Sequence, residues 1–354
     1  MKRLIWVGPD LSIDNNIVNS NISAAAYYWQ NNFKRALVSN GVNVTSISYE
    51  IDRVWPFGRL YINSCKFTRR NQIFVSYLNL FFIRDLWIAF SIFLKSTKFR
   101  EYDFITYNSI KRNLYFALLR KKVYKNSQWF SIIADDYVKF NPDHLIFLSY
   151  GYYNKYQHPS KYHFDGAIEK ILITHSNNNI EKKKILFYSG AISEWTGINE
   201  LVALFINNFN LENWEFHIYG KGDSTFIEKN IILNEKIKYF GFVEENVLIE
   251  AAKNAYVFVN PRPINIASGE NNFPSKLLFY LQFGKYIIST KTDGLRPDFN
   301  KILIYSNFDS YNELKNILIN IEMNRYQSCL NNIHNFQCEN TWENSVKNLL
   351  NKIK

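Results

Sequence analysis

Short apolar runs alternate with helix-length runs along the chain, and the alternation occurs in two successive series. Four to seven consecutive apolar residues closed by glycine or polar residues read as a strand buried on both faces. That pattern requires a parallel sheet with helices on each side. The first series predicts strands over 3–7, 43–49, 104–107, 129–134 and 145–149. Helices are expected over 23–39, which stops at Asn40-Gly41, and over 110–122. Between 150 and 181 the pattern thins and Gly151, Pro159, Gly166 and the Asn177-Asn178-Asn179 run gather, so a boundary is placed near 180. The second series predicts strands over 185–189, 215–219, 238–240, 256–260 and 286–290, and helices over 198–209, 247–253 and 273–283. The final helix, 342–354, has nothing after it to pack against and is expected to cross back to the first domain. A length of 354 residues, 47% of them hydrophobic, suffices for two α/β domains, 1–180 and 181–354, each Rossmann-like.

Three cysteines, Cys65, Cys329 and Cys338, are odd in number and lack metal-ligand spacing, which speaks against a disulfide scaffold or structural zinc. Residues 1–8 read as a strand and not as a secretory leader, so a cytoplasmic chain is expected. The net charge of +11 is compatible with phosphorylated substrates or an anionic surface. Basic residues are spread along the chain, and the runs at 120–122 and 182–184 are too short for a nucleic-acid arm, so no nucleic-acid partner is expected. The apolar stretch 72–95 carries Arg84 and Asp85 at its middle, a costly pair for a membrane span. It reads instead as a buried or amphipathic helix; the basic residues around it leave open a helix resting on the inner face of a membrane.

In open α/β sheets, ligands sit beyond the carboxyl ends of the strands. Ser189-Gly190, Gly220-Lys221-Gly222 and Asn260-Pro261-Arg262-Pro263 occupy such positions, although a glycine there is most often only a tight turn. A sharper signal is Gly269-Glu270-Asn271-Asn272-Phe273-Pro274-Ser275-Lys276-Leu277, a polar loop entering a helix that begins with proline. Exposed amides of a first turn attract anions, Ser275 and Lys276 add a hydroxyl and a charge, and Arg262 offers a bidentate second charge. The alternative is an ordinary capped helix with a solvated lysine.

With these residues the second half resembles the retaining glycosyltransferases of the GT-B fold, in the large family 4 group, especially bacterial surface-polysaccharide members. The likeness lies in four ordered stretches: 185–190 followed by Gly197-Ile198; Phe216 through Gly220-Lys221-Gly222; Ile237 through Gly241-Phe242; and Val259 through Arg262, then Phe273 through Tyr280 to Thr290. The resemblance implies two Rossmann-like domains facing across a cleft. The first would bind the acceptor and the second a UDP- or GDP-sugar, with no cofactor and no metal. By position, Gly190 would approach the phosphates, Gly220, Lys221 and Gly222 would border the nucleotide, and Phe242 and Val243 would flank the base. Arg262, Ser275 and Lys276 would hold the diphosphate, Leu277 would offer a backbone amide, and Glu270, Asn271 and Asn272 would lie near the sugar. The activity implied is transfer of a hexose or N-acetylhexosamine to a growing, lipid-linked glycan such as capsule or O-antigen.

This sequence departs from the pattern at Ala191, Thr196 and Phe279, where relatives commonly carry Arg, Lys and Glu. Without the glutamate, ribose loses a carboxylate acceptor. A glycan- or partner-binding scaffold is therefore the alternative. On the acceptor side the candidates are Gly8, closing the first strand, Asp135 and Asp136, following a later one, and His158; His163 is a further histidine of that region. No Gly-X-Gly-X-X-Gly follows any expected strand, which argues against a dinucleotide-dependent oxidoreductase.

Overall fold

The apolar runs become central strands because consecutive side chains point to opposite, equally buried faces. Leu4 and Trp6 enter one cluster while Ile5 and Val7 enter another. In the rear half Leu186 and Tyr188 separate from Phe187 in the same way. The computed structural model describes residues 2–9, 24–63, 72–108, 110–134, 140–172, 183–263 and 273–353. It divides into two units: Met1–Gly166 with Trp342–Lys354, and Ala167–Thr341.

In chain order the first unit holds β1 (Arg3–Pro9), α1 (Ala24–Ser39), β2 (Asn43–Tyr49), β3 (Tyr61–Ile62), β4 (Gln72–Phe74), β5 (Tyr77–Leu78) and α2 (Arg84–Ser96). It continues with β6 (Asp103–Tyr107), α3 (Lys111–Val123), β7 (Trp129–Ile133), β8 (His144–Phe147), α4 (Tyr150–Lys155) and β9 (Lys161–His163). Seven strands form a parallel sheet in the order β4-β2-β1-β6-β7-β8-β9; β3 and β5 make a small antiparallel pair.

The second unit holds β10 (Lys184–Ser189), α5 (Ile198–Ile206), β11 (Trp214–Tyr219), α6 (Thr225–Asn230), β12 (Ile237–Tyr239), α7 (Glu245–Lys253), β13 (Val257–Asn260) and α8 (Lys276–Leu281). After these come β14 (Tyr286–Ser289), β15 (Ile304–Tyr305), α9 (Tyr311–Glu322) and α10 (Gln327–Glu339). Its parallel sheet runs β12-β11-β10-β13-β14-β15, the doubly wound order with a reversal between β10 and β13.

The last helix, α11 (Trp342–Ile353), belongs to the first unit, as expected. Val346 and Leu349 are buried in the cluster containing Trp6, Trp29 and Phe33, and the Trp342 ring stands edge-on to Trp29 at 5.9 Å. The first unit ends at Gly166, ahead of the expected division near 180. The physical reason is that 167–172 is already claimed by the second unit. Ile168 bridges to Thr341 and is buried beside Phe187, and the Leu172 amide donates to the Gln282 carbonyl at 2.7 Å.

The single helix expected over 72–95 is instead two short strands followed by α2. Asn79 breaks the run: it is fully buried, its side-chain amide donates to the carbonyls of Arg53 and Arg59, and its backbone bonds Trp55 and Leu60. Arg84 and Asp85 consequently lie at the start of α2. At the other end Arg120, fully buried on α3, donates to the carbonyls of Ser96, Phe99 and Tyr102, fixing α2 to its neighbours. No helix among the described residues is long and apolar enough to cross a membrane.

Candidate functional site

The reversal of strand order makes the carboxyl ends of β10 and β13 the place where loops diverge and leave room for a ligand. The loops there are packed backbone to backbone. The Gly190 amide donates to the Tyr219 carbonyl at 3.0 Å and the Ile192 amide to the Lys221 carbonyl at 3.0 Å; Gly220 in turn donates to the Gly241 carbonyl at 2.8 Å. A Cβ on Gly220 would stand 1.9 Å from the Gly190 oxygen, and one on Gly222 would stand 1.9 Å from the Ile192 oxygen. The absence of side chains at 220 and 222 is thus used against the protein's own loop.

Gly190 is different. Its φ is +152°, and a Cβ there would lie 2.9 Å from Lys276 Nζ and 3.3 Å from the Tyr188 hydroxyl. The Lys276 ammonium therefore folds back over the end of β10 and sits 4.1 Å from the centre of the Tyr188 ring, a cation–π distance. Burial pushes this ammonium down to about 7, and the positive charge of Arg262 pushes it the same way. Arg262 leaves the end of β13 with its amide bonded to the Asn260 carbonyl at 3.0 Å. Asn260 is buried and donates to Ser289 Oγ at 2.8 Å, which ties β13 to β14 beneath the arginine.

Two tyrosines to which the sequence assigned no individual role, Tyr188 and Tyr280, complete the floor. Tyr280, on α8, accepts from the Ser189 amide at 2.9 Å and donates to the Ser189 carbonyl at 3.1 Å, so one hydroxyl satisfies both backbone groups next to Gly190. Tyr188 donates to the Ala191 carbonyl at 2.6 Å. The available signal was that a tyrosine in a fully buried strand must find a partner for its hydroxyl, and loop carbonyls at a strand end supply one.

Of the other expected residues, Ser275 is exposed at the cap of α8 and its side chain makes no capping bond. Pro274 precedes that cap instead of occupying the first turn, and the helix covers Lys276–Leu281, shorter than the expected 273–283. Leu277 is fully buried and its amide donates to the Pro274 carbonyl at 3.0 Å, so the amide expected to face a ligand is engaged within the turn. Lys221 is exposed, Phe242 is 76% exposed, and Val243 is partly buried against the Phe187 cluster. Glu270, Asn271 and Asn272 lie outside the described residues, as do Asp135 and Asp136.

The departing positions have local uses. Thr196 Oγ1 donates to the Ser193 carbonyl at 2.7 Å and closes the loop after β10; Ala191 is exposed. Phe279 stands edge-on to Phe283 at 5.1 Å.

In the first unit Gly8 lies in β1, at the equivalent reversal between β1 and β6, with its Cβ position 3.2 Å from Trp6 Nε1. His158 holds a turn: Nδ1 accepts from the Ser160 amide at 3.1 Å, leaving Nε2 to donate to the Pro142 carbonyl at 3.0 Å. His163 ends β9 and meets Tyr150 edge-on. Among the described residues no group of three His, Cys, Asp or Glu is placed to hold a metal ion.

Residues 170–326 match the family described as "Glycosyl transferases group 1". Among curated proteins none matches in sequence. Solved structures match over nearly the whole length. A glycosyltransferase from Rickettsia africae has a TM-score of 0.71 at 12% identity, covering 99% of this chain and 97% of the other. The apo lipopolysaccharide outer core galactosyltransferase WaaB has 0.66 at 14%, covering 99% of each chain. Anabaena HepE in complex with UDP and glucose has 0.61 at 10%, covering 100% and 99%. The fold is GT-B, and with a group 1 domain in its rear half the chain is a glycosyltransferase.

Proposed function

We propose that the chain transfers a hexose or N-acetylhexosamine from a UDP- or GDP-sugar to a growing bacterial glycan carried on a lipid, with retention of anomeric configuration. The carrying observation is the ammonium of Lys276 lying over Gly190 at the end of β10, with the charge of Arg262 near enough to lower its proton affinity. Two cations close enough to repel each other stabilise a dianion better than either alone, and a nucleoside diphosphate supplies one. As the bond from the anomeric carbon to the diphosphate breaks, charge grows on the departing oxygens, where Arg262 and Lys276 oppose it. The acceptor hydroxyl attacks the same face of the sugar and gives up its proton to the departing diphosphate oxygen.

In this reading Gly190 admits the phosphates, Lys221 and Phe242 border the nucleotide with Gly220, Gly222 and Val243, and Ser275 adds a hydroxyl. Glu270, Asn271 and Asn272 are assigned to the sugar; Gly8, Asp135 and Asp136 to the acceptor. His158 is the weakest of these, since both ring nitrogens already serve a turn. A solved neighbour that holds UDP and glucose supports the choice of donor class. The acceptor is proposed to be reached from the cytoplasmic face of the membrane, in capsule or O-antigen assembly.

A panel of sugar nucleotides tests the reading through thermal stabilisation and donor hydrolysis. A true donor raises the melting point because it binds only the folded chain. Silence across UDP- and GDP-sugars overturns the donor assignment and leaves the glycan-binding scaffold.

A further inference from the structure

We infer that the exposed stripe of α2, with the turn before it, is a docking surface for an anionic lipid bilayer. The helix has two apolar faces. One, made by Ile88, Ala89 and Ile92, is buried against the first unit's core. The other carries Leu86, Trp87, Phe90 and Leu94, all exposed and spaced at three- and four-residue intervals along one side. Phe81 and Phe82 extend it in the preceding turn, at 73% and 89% exposure. Six large apolar side chains in one contiguous stripe are more than scattered surface residues explain.

The stripe is held firmly. Arg120 bonds the Ser96 carbonyl at one end of α2, and ahead of the other end the Asn79 backbone and side chain bind the 53–60 loop, which carries the exposed Trp55 and Phe57. Exposure of these rings is therefore built into the packing.

Charge selects the occupant. Met1–Gly166 contains 22 basic and 11 acidic residues and Trp342–Lys354 three and one, so the first unit carries +13. The second unit, with 17 basic and 19 acidic residues, carries −2, so the whole positive excess lies on the unit that bears the stripe. Basic residues occur in both units, 25 and 17, but only in the second are they outnumbered by acidic ones. Lys95, Lys98 and Arg100 are exposed at the end of α2, where lipid headgroups would meet them as the aromatic side chains enter the interface. The inference gives a location and a chemistry to the membrane contact proposed above and rests on it. Its test needs no sugar transfer, so the two can fail separately.

Sedimentation with phosphatidylcholine vesicles, with and without phosphatidylglycerol, tests it on the full chain. The chain should bind vesicles containing phosphatidylglycerol, more weakly as salt rises. Joint substitution Phe82→Ser, Phe90→Ser and Leu94→Ser should weaken binding by about ten-fold or more. Lys95→Gln, Lys98→Gln and Arg100→Gln together should flatten the salt dependence. Both variants should keep the wild-type melting point and affinity for UDP, since every changed side chain is exposed and in the other unit from Lys276. Equal binding by wild type and both variants overturns the inference. So does absence of vesicle binding, including the case where light scattering shows a dimer that the serine variant abolishes, which assigns the stripe to a second copy.

Discussion

The fold disfavours the charged form of Lys276, and that gives the site a pH signature. Its folded value of about 7 lies below the ordinary 10.5. Between those values the unfolded chain binds a proton that the folded chain does not. Stability attributable to this group therefore rises with pH across that window, and below about 7 the full penalty of a buried charge is in place. A bound diphosphate reverses the preference, so donor binding above pH 7 should take up a proton and weaken as pH rises. Calorimetric titration with UDP at pH 8, in buffers of different ionisation enthalpy, should show uptake in the wild type and none in Lys276→Met; equal uptake in both assigns the proton elsewhere. Glu215 shows the opposite sign. Burial alone would raise its carboxyl, yet hydrogen bonds from Lys183, Lys238 and His217 outweigh it and hold the group at about 2. Its contribution is complete above about 4.5 and lost as pH falls toward 2, so Glu215→Gln should flatten the acid limb of the stability profile, read by urea unfolding at stepped pH.

At the scale of elements, the loops after β10 and β11 act as one unit because Gly220 lets them touch. Gly220→Ala should cost about 3 kcal/mol, since its Cβ meets backbone and not a movable side chain; urea unfolding with an unchanged midpoint contradicts the interlock. The β-strands were legible because strands buried on both faces are almost wholly apolar: 43–49 and 286–290 match β2 and β14 to within a residue. The order of strands follows from chain succession and right-handed crossovers. Boundaries failed where one buried polar residue decides the path, as Asn79 does between β5 and α2. No element was expected between 291 and 341, although Leu314, Ile317, Leu318 and Ile321 on α9 have helical spacing; the asparagines among them weaken the pattern. In the site, charges and glycines at strand ends were legible, but the folding-back of Lys276 onto Tyr188 was not. That contact joins residues 88 positions apart and depends on the angle at which α8 meets the sheet.

Across the molecule, two sheets of the same winding order serve different ends. The second unit places paired cations at its strand reversal, and the first carries the positive excess and the exposed stripe. The chain enters the second unit after Gly166 and returns at Trp342, so α11 can complete the first unit only after the whole of the second unit has been made. Removing 342–354 should cost that unit about 4 kcal/mol, from Val346, Leu349 and part of Trp342. Hydrogen exchange should then quicken in α1 and stay unchanged in β10 and β13; equal acceleration in both contradicts the division into units. The central claim is that Arg262 and Lys276 together hold a diphosphate at the end of β10. Titration of UDP into the wild type, Arg262→Ala and Lys276→Ala tests it most directly. Each variant should remain folded and bind about 100-fold more weakly, whereas wild-type affinity in either one contradicts the claim.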